Sequence, residues 1–276
     1  MNYHLIYRGC NFIRQQPLHT CAVFIIKAKT MKRQIILSLL VIAITVFFSC
    51  DEVFRERIRG NGVGKTENRD VKGFSSVDVS GAMDVYVMQD SSTSVKVEAD
   101  ENLLQYIVTE NDNGTLEIYF KKGVNLRPKK AIRIYVSNPV YREFEASGAC
   151  NYFGENRISS TESIRIHVSG ACDAAMEVKA PKVKVDLSGA GTISLRGETK
   201  DFEVDGSGST NIKCFDLMAE NTHVDLSGAG SAQVFASVKL DVEVSGAADV
   251  KYKGNPAINQ SVSGAGSVKK AETSNL

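Results

Sequence analysis

The dipeptide Ser-Gly recurs at Ser80, Ser147, Ser169, Ser188, Ser207, Ser227, Ser245 and Ser263, and from Ser147 onward the copies follow one another at a short, nearly constant interval. Repetition at so short a period constrains the fold more than any other feature of the chain. In six of the eight copies an apolar residue precedes the serine and Ala follows the glycine, as in Val79-Ser80-Gly81-Ala82 and Leu187-Ser188-Gly189-Ala190. The other two vary lightly: Ala146 precedes Ser147, and Gly206-Ser207-Gly208-Ser209 lacks both the apolar residue and the Ala. A period of roughly 18–20 residues is too short for a solenoid containing helices. It fits one β-coil, two strands of about five residues plus turns at roughly 3.3 Å per residue.

Side chains alternate along a strand, so each column of the repeat acquires a face. Three residues before the serine stand Val77, Phe144, Ile166, Val185, Val204, Val224, Val242 and Gln260; five after it stand Val85, Tyr152, Ala174, Ile193, Ile212, Ala232, Val250 and Val268. These are core columns. Two before it stand Asp78, Glu145, His167, Asp186, Asp205, Asp225, Glu243 and Ser261, and four after it Asp84, Asn151, Asp173, Thr192, Asn211, Ser231, Asp249 and Ser267. These face solvent. Parity carries through the corner and puts the glycine, and the small residue two places later, on the inner side. A bend there needs no Cβ.

No coil of this kind buries its apolar side alone; like columns must stack about 4.8 Å apart by parallel pairing. The expected fold is all-β, a single-stranded parallel β-helix with coils of roughly 18–22 residues, right-handed by the crossover preference. From Ser80 to Ser147 the interval is more than three times the usual period. Alternation persists there in Asp84–Met88, Ser94–Ala99, Thr115–Phe120 and Ala131–Val136, with turns at Asn111–Gly114 and Asn138-Pro139. About three longer coils fit that gap, as the first half of the solenoid or a β-rich cap on it. A separate β-sandwich is the alternative.

The front of the chain reads as a targeting segment. Met31-Lys32-Arg33 opens a stretch whose apolar run extends from Ile35 to Phe48, interrupted by Ser38 and Thr45. A spanning helix needs about 20 apolar residues, more than this run supplies. The layout is that of a secretory signal peptide over 31–49, with Ser49 before the cut. Phe47-Phe48-Ser49-Cys50 resembles a lipobox, in which Cys50 is diacylated, with palmitate as an acyl chain, and becomes the first mature residue. An ordinary secreted protein and an uncleaved anchor are the alternatives. Residues 1–30 read as an over-extended start, 50–72 as a polar tether and 73–276 as the β-helix domain. Within the tether, Gly60-Asn61-Gly62-Val63-Gly64-Lys65-Thr66 falls one residue short of a P-loop, because position 59 is Arg, and reads as a flexible linker and first turn.

Charge narrows the partners. The chain has 33 Lys and Arg against 32 Asp and Glu, but six of the basic residues lie before Cys50, where there is no acid. From Cys50 onward 27 basic residues face 32 acidic ones, a formal charge of −5, so no nucleic-acid partner is expected. There is no Trp, hence no large platform of the kind sugar sites often use.

Several features together carry a family resemblance: the Gly-rich lead-in with Arg69, Phe74-Ser75-Ser76-Val77 and Val79-Ser80-Gly81, the Gly114–Ile118 strand, Ile132–Pro139 and the Ser-Gly-Ala coils. Over roughly Gly60–Leu276 the chain resembles the putative auto-transporter adhesin family with a head GIN domain, found in envelope lipoproteins of Gram-negative bacteria. The resemblance implies an envelope location and brings no catalytic residues, since its motifs are structural.

Four features invite a chemical reading. Asp186, Asp205, Asp225 and Glu243 form an acidic ladder over four successive coils, and stacked carboxylates must be protonated, compensated or bridged by a cation. Lys182 and Lys184 stand close enough in sequence to compensate one end; oxygen-only ligands would suit calcium, and the alternative is a solvated polar face. Cys150 and Cys172 share an inner column in adjacent coils and form either a disulfide or a ladder of free thiols, while Cys214 falls in a core column as a buried thiol. His167 and His223 take outward positions, and the eight serines read as corner residues bonding local backbone. Six of the nine Tyr lie between Tyr86 and Tyr152, in the core or on a contact surface.

The leading expectation is a non-enzymatic lipoprotein of the cell envelope, anchored in the outer membrane by lipid, with no cofactor. It would offer a flat surface to a glycan or to an envelope or host surface protein, facing either the periplasm or the cell exterior. A carbohydrate-active β-helix enzyme of the polysaccharide lyase or hydrolase type and a purely structural envelope protein are the alternatives.

Overall fold

The structure, a computed structural model, describes residues 56–271. The expected start (1–30), signal peptide (31–49) and lipidated Cys50 lie outside the described residues. The fold is all-β. Sixteen strands follow in order: β1 Glu56–Arg59, β2 Gly64–Arg69, β3 Ser76–Gly81, β4 Asp84–Gln89, β5 Ser94–Asp100, β6 Ile107–Asp112, β7 Thr115–Phe120, β8 Val124–Arg127, β9 Arg133–Asn138, β10 Glu143–Gly148, β11 Asn151–Ser159, β12 Ile164–Gly170, β13 Asp173–Phe235, β14 Lys239–Lys253, β15 Ala257–Gly264 and β16 Ser267–Lys270. Among the described residues the sole helical element is the single 3-10 turn Leu104–Tyr106.

The repeat sets the pairing. Ser80 lies opposite Ser147, Ser147 opposite Ser169, Ser169 opposite Ser188, Ser227 opposite Ser245 and Ser245 opposite Ser263, every pair parallel and with glycine beside glycine. Strand β13 runs through several coils without a break, so one sheet passes from β3, β10 and β12 into β13 and returns through β11, β4 and β9. The result is a nearly closed, barrel-like sheet. Both core columns are buried from Val77 and Val85 through Val242 and Val250. Each such Val side chain contributes about 1.5–3 kcal/mol by leaving water.

Burial parity marks the corners. In the coil that starts at Ser207 the buried residues are Thr210, Ile212 and Cys214, then Leu217 and Ala219, then Thr222, Val224 and Leu226. Parity slips at Phe215-Asp216 and at Glu220-Asn221, which gives the coil three short walls. It does not slip at the Ser-Gly corner. The glycines there nevertheless lie at the exposed edge in Gly148, Gly170, Gly189, Gly208 and Gly228, and not on the inner side as parity implies. Their missing Cβ makes room for backbone: Gly208 has φ +99°, and a Cβ on it would stand 2.5 Å from the carbonyl oxygen of Gly189 in the preceding coil.

Two expectations are corrected. No coils intervene between Ser80 and Ser147, because β3 and β10 are direct neighbours. Of the two readings of that gap the cap holds: β4 completes the first coil against β11, β7 and β9 stack parallel on β3 and β4 at the end of the stack, and β5 pairs antiparallel with β9 and β2 and β6 with β7. Second, residues 56–69, read as tether, include β1, which pairs with β8, and β2, which pairs with β5. Strand β2, Gly-Lys-Thr-Glu-Asn-Arg, is polar on both faces because it lies at a sheet edge with no residue buried. It shows no hydrophobic period to read.

Asp100 ties this cap together. Its carboxylate accepts hydrogen bonds from the backbone N–H of Gly62 (2.8 Å), Lys129 (2.7 Å) and Lys130 (3.2 Å), so the glycine-rich lead-in is wrapped around a buried acid. Burial alone would raise its pKa, but the three donors outweigh it and hold the carboxyl below its usual range.

Two outcomes follow. Gly208→Ala should lower stability by more than the about 1–3 kcal/mol of left-handed backbone strain, because it also strikes the Gly189 carbonyl. Gly114→Ala, at φ +89° with nothing within 4 Å, should lose the conformational part alone; urea unfolding of both variants separates the two effects. Asp100→Asn should destabilise at neutral pH by on the order of 1–3 kcal/mol. Because the folded pKa is depressed, the carboxylate's contribution is complete above its unfolded pKa of about 3.9 and fades as pH falls through the folded value. The gap between parent and variant in thermal midpoint should therefore close under acid.

Candidate functional site

The acidic column lies on the wall formed by the strands that precede the serines. Asp78, Glu145, His167 and Asp186 are in register across β3, β10, β12 and β13, and Asp225 stands beside Glu243 across β13 and β14. Lys184 occupies the middle of it. Its ammonium donates to Asp205 Oδ2 at 2.9 Å and Glu203 Oε1 at 3.1 Å and lies 3.4 Å from Asp186 Oδ1. These hydrogen bonds push the Lys184 pKa up, while Lys182 and Lys184 hold the Glu203 carboxyl down. Asp186 shifts upward, chiefly by burial and also by a hydrogen bond shared with Asp205.

The structure thus brings Asp186 and Asp205 together on a lysine, whereas Asp225 and Glu243 form no ion pair among the described residues. A shallow groove of about 310 Å³ runs past His167, Asp186, Asp205 and Asp225. Like columns on a flat wall project in parallel and do not converge. Among the described residues no group of three or more His, Cys, Asp or Glu side chains could hold a metal ion. Two of the eight corner serines bond the backbone of the preceding coil, Ser169 Oγ donating to the Ala146 carbonyl at 3.2 Å and Ser227 Oγ to the Gly206 carbonyl at 3.5 Å. His167 is exposed and His223 half-buried, both on the outside as expected.

Cys150 and Cys172 are buried neighbours whose sulfurs lie 3.2 Å apart. They are free thiols here, as is Cys214; a disulfide requires about 2.05 Å. Cys172 Sγ also accepts the backbone N–H of Cys150 at 3.2 Å. The shared S–H bond and burial push the Cys150 pKa up, and the same bond pulls Cys172 down. Burial raises Cys214 to about 12.

The opposite wall, formed by the strands after the serines, carries an arrangement that the repeat columns did not bring out. Its outer column six places after the serine reads Tyr86, Phe153, Ala175, Ser194, Lys213, Gln233, Lys251 and Lys269. Tyr86 stacks between Tyr135 (5.2 Å, 18°) and Phe153 (5.1 Å, 26°), three half-buried rings on the adjacent strands β9, β4 and β11. The stack ends at Phe153 because the next strand offers only Ala175. Beyond the ring lies a trough of about 430 Å³, floored by Ala175 and Ser194 and bounded by Arg196, Lys213 and Glu177. The remaining tyrosines divide: Tyr141 and Tyr152 are core residues, the Tyr152 hydroxyl lying between the carbonyls of Val77 (3.0 Å) and Glu145 (2.7 Å). Reading column six alongside the acidic columns would have exposed this stripe.

Comparison with known proteins agrees with the fold. The profile of the family described as "Putative auto-transporter adhesin, head GIN domain" matches residues 73–256. A solved structure of a putative adhesin from Bacteroides fragilis is similar at 24% identity and a TM-score of 0.74, covering 78% of this chain and 100% of that one. A putative lipid binding protein from Parabacteroides distasonis is similar at 24% identity and a TM-score of 0.61, covering 79% and 100%. A putative adhesin from Parabacteroides merdae follows at 21% identity and a TM-score of 0.60, with the same coverage. No curated protein matches the chain. With the family profile running from just before β3 through β14, the chain belongs to the putative auto-transporter adhesin, head GIN domain family.

Proposed function

We propose that this protein is a non-enzymatic lipoprotein of the cell envelope, anchored in the outer membrane through Cys50, whose flat walls act as an adhesive or binding scaffold. In this reading the coils form a single-stranded, right-handed parallel β-helix. The parallel, in-register pairing of successive Ser-Gly copies supports the coil geometry, and the crossover preference supports the hand. Membership of a family described as adhesins supports an envelope or surface location. No helix among the described residues is long and apolar enough to cross a membrane, and the attachment proposed is the lipid on Cys50.

The observation that carries a binding role is the form of the outer walls: ladders of side chains repeated coil on coil, over strands whose backbone is already paired. The column four after the serine is itself a chain of hydrogen bonds, with Asn151 Nδ2 donating to Asp84 (2.8 Å), the Thr192 N–H to Asp173 (2.7 Å), Ser231 Oγ to Asn211 (2.9 Å) and Ser267 Oγ to Asp249 (2.6 Å). Such a surface grips an extended partner at many weak points, a glycan or an envelope or host surface protein. It does not enclose a small substrate.

Protease shaving of intact cells that make the full-length protein, beside a Cys50→Ala variant and a periplasmic control, tests anchoring and orientation. The parent should partition with membranes and Cys50→Ala should be released from them. Digestion of the parent while the control survives places the scaffold outside the cell, and survival until lysis directs its binding to periplasmic partners. A Cys50→Ala protein that stays in the membrane fraction would overturn the lipid anchor.

A further inference from the structure

We infer that the wall carrying the Tyr135–Tyr86–Phe153 stack is a binding track for an acidic polysaccharide, with a sugar ring stacked on Phe153 and its carboxylates or sulfates held by the lysines beyond it. Such a track gives the proposed scaffold its ligand class and rests on that reading.

The geometry begins with an aromatic stack that stops. Tyr86 is covered by Tyr135 and Phe153 at 5.1–5.2 Å, but Phe153 has Ala175, not a ring, as its register partner on β13, and it borders the trough. The next two column positions in the trough are the small residues Ala175 and Ser194, and its far side is Lys213. Three strand spacings separate Phe153 from Lys213, about 14 Å at roughly 4.8 Å each. A sugar ring packing its C–H face on Phe153 at about 3.5–4.0 Å leaves room for a charged substituent to reach the ammonium.

The cations of this wall gather in one column. Beyond the trough the same column continues through Gln233 to Lys251 and Lys269, in register across β13, β14 and β16. None of Lys213, Lys251 and Lys269 forms an ion pair among the described residues. In the column beside it, Lys253 lies 4.6 Å above the Phe215 ring, and of the two acids bordering the trough Glu177 is paired with Arg157 and Arg196 (3.1 Å). Asp216 stands at the corner of the trough. The neighbouring outer column of this wall holds Asp84, Asp173 and Asp249, each engaged by a hydrogen bond from Asn151, Thr192 or Ser267, whereas the opposite wall carries the longer acidic column, and a polyanion meets its row of lysines on this face. Lys213 and Lys251 lie two strands apart and Lys251 and Lys269 on adjacent strands, a row of cations that suits a polymer with charge repeated along it.

The floor also selects against a peptide. From Phe153 to Lys251 the strands β11, β13 and β14 are interior, with backbone donors and acceptors spent on neighbouring coils, so the trough itself offers no edge for strand addition. Recognition has to come from side chains, an aromatic face and a row of cations, and a ring polymer with carboxylates presents both complements.

The test is binding of the purified full chain to immobilised polygalacturonate, with dextran as neutral glycan and poly-L-glutamate as charge without a ring. Polygalacturonate should bind at least about tenfold more tightly than either, and binding should weaken as salt rises. Phe153→Ala should lose about tenfold, the scale of one aromatic contact, Phe153→Tyr should bind as the parent does, and the exposed Lys251→Glu should weaken binding without moving the thermal midpoint. If Phe153→Ala fails to fold, Phe153→Tyr and Lys251→Glu decide the matter. The track is overturned if polygalacturonate does not bind, if dextran binds equally, if Lys251→Glu binds as the parent does, or if polyglutamate binds as tightly, which would make an acidic polypeptide the partner. Because the assay uses purified chain, a negative result here leaves the anchoring experiment on cells to judge the envelope scaffold separately.

Discussion

Successive coils meet backbone to backbone. At each Ser-Gly corner the Cα of one glycine sits against the carbonyl of the glycine one coil earlier, from Gly148 on Gly81 to Gly264 on Gly246, and any Cβ would lie 2.3–2.9 Å from that oxygen. Side chains elsewhere tolerate some mismatch, but here the spacing of coils is fixed by main-chain contact. The corner keeps every column in line, and a one-residue slip would turn each core residue to solvent. The registered core columns, the hydrogen-bonded polar ladder and the charged columns on the two walls all depend on that alignment.

Alignment also turns isolated interactions into extended ones. A single surface lysine beside a carboxylate contributes little, yet Lys184 is placed by the stack within reach of three acids on two coils. The same alignment sets like charges side by side, and the chain relieves this differently along the acidic column. His167 separates Glu145 from Asp186, Lys184 bridges Asp186 and Asp205, and Asp225 and Glu243 are left to solvent. On the opposite wall the lysines are spaced by Gln233, which keeps Lys213 and Lys251 two coils apart.

How much of this could be read from the sequence depends on whether a residue repeats. The columns of Val77 and Val85, the outward histidines and the buried Cys214 follow from period and parity, because each position is sampled eight times. The strands of the cap were legible by alternation, but their arrangement was not, for the converse reason. The segment between Ser80 and Ser147 occurs once, and its length alone permits either added coils or an excursion; only the pairing of β3 with β10 decides. β2 gave no hydrophobic signal because no residue in it is buried, and Asp100 looked like any strand-end acid, although it holds three backbone donors from two distant loops. The aromatic stack lay half in the cap, since Tyr135 belongs to β9 and not to the repeat.

The two ends of the stack differ, and this bears on how its walls work. At the front, β2, β5, β6 and β7 cover the first coils. At the back, every residue of β15 is exposed, with Ile258 and Val262 at 43% and 41%, and the core column ends in Gln260 where the earlier coils place Val. In a linear stack each coil draws its stability from its neighbours, so a terminal coil with one neighbour opens most readily. A glutamine there lowers the cost of that exposure. Lys269 belongs to this last coil, whereas Phe153 sits beside the cap. A polymer lying along the wall would therefore join the firmest part of the molecule to the loosest, and by binding only the closed end coil it would stabilise that coil through mass action.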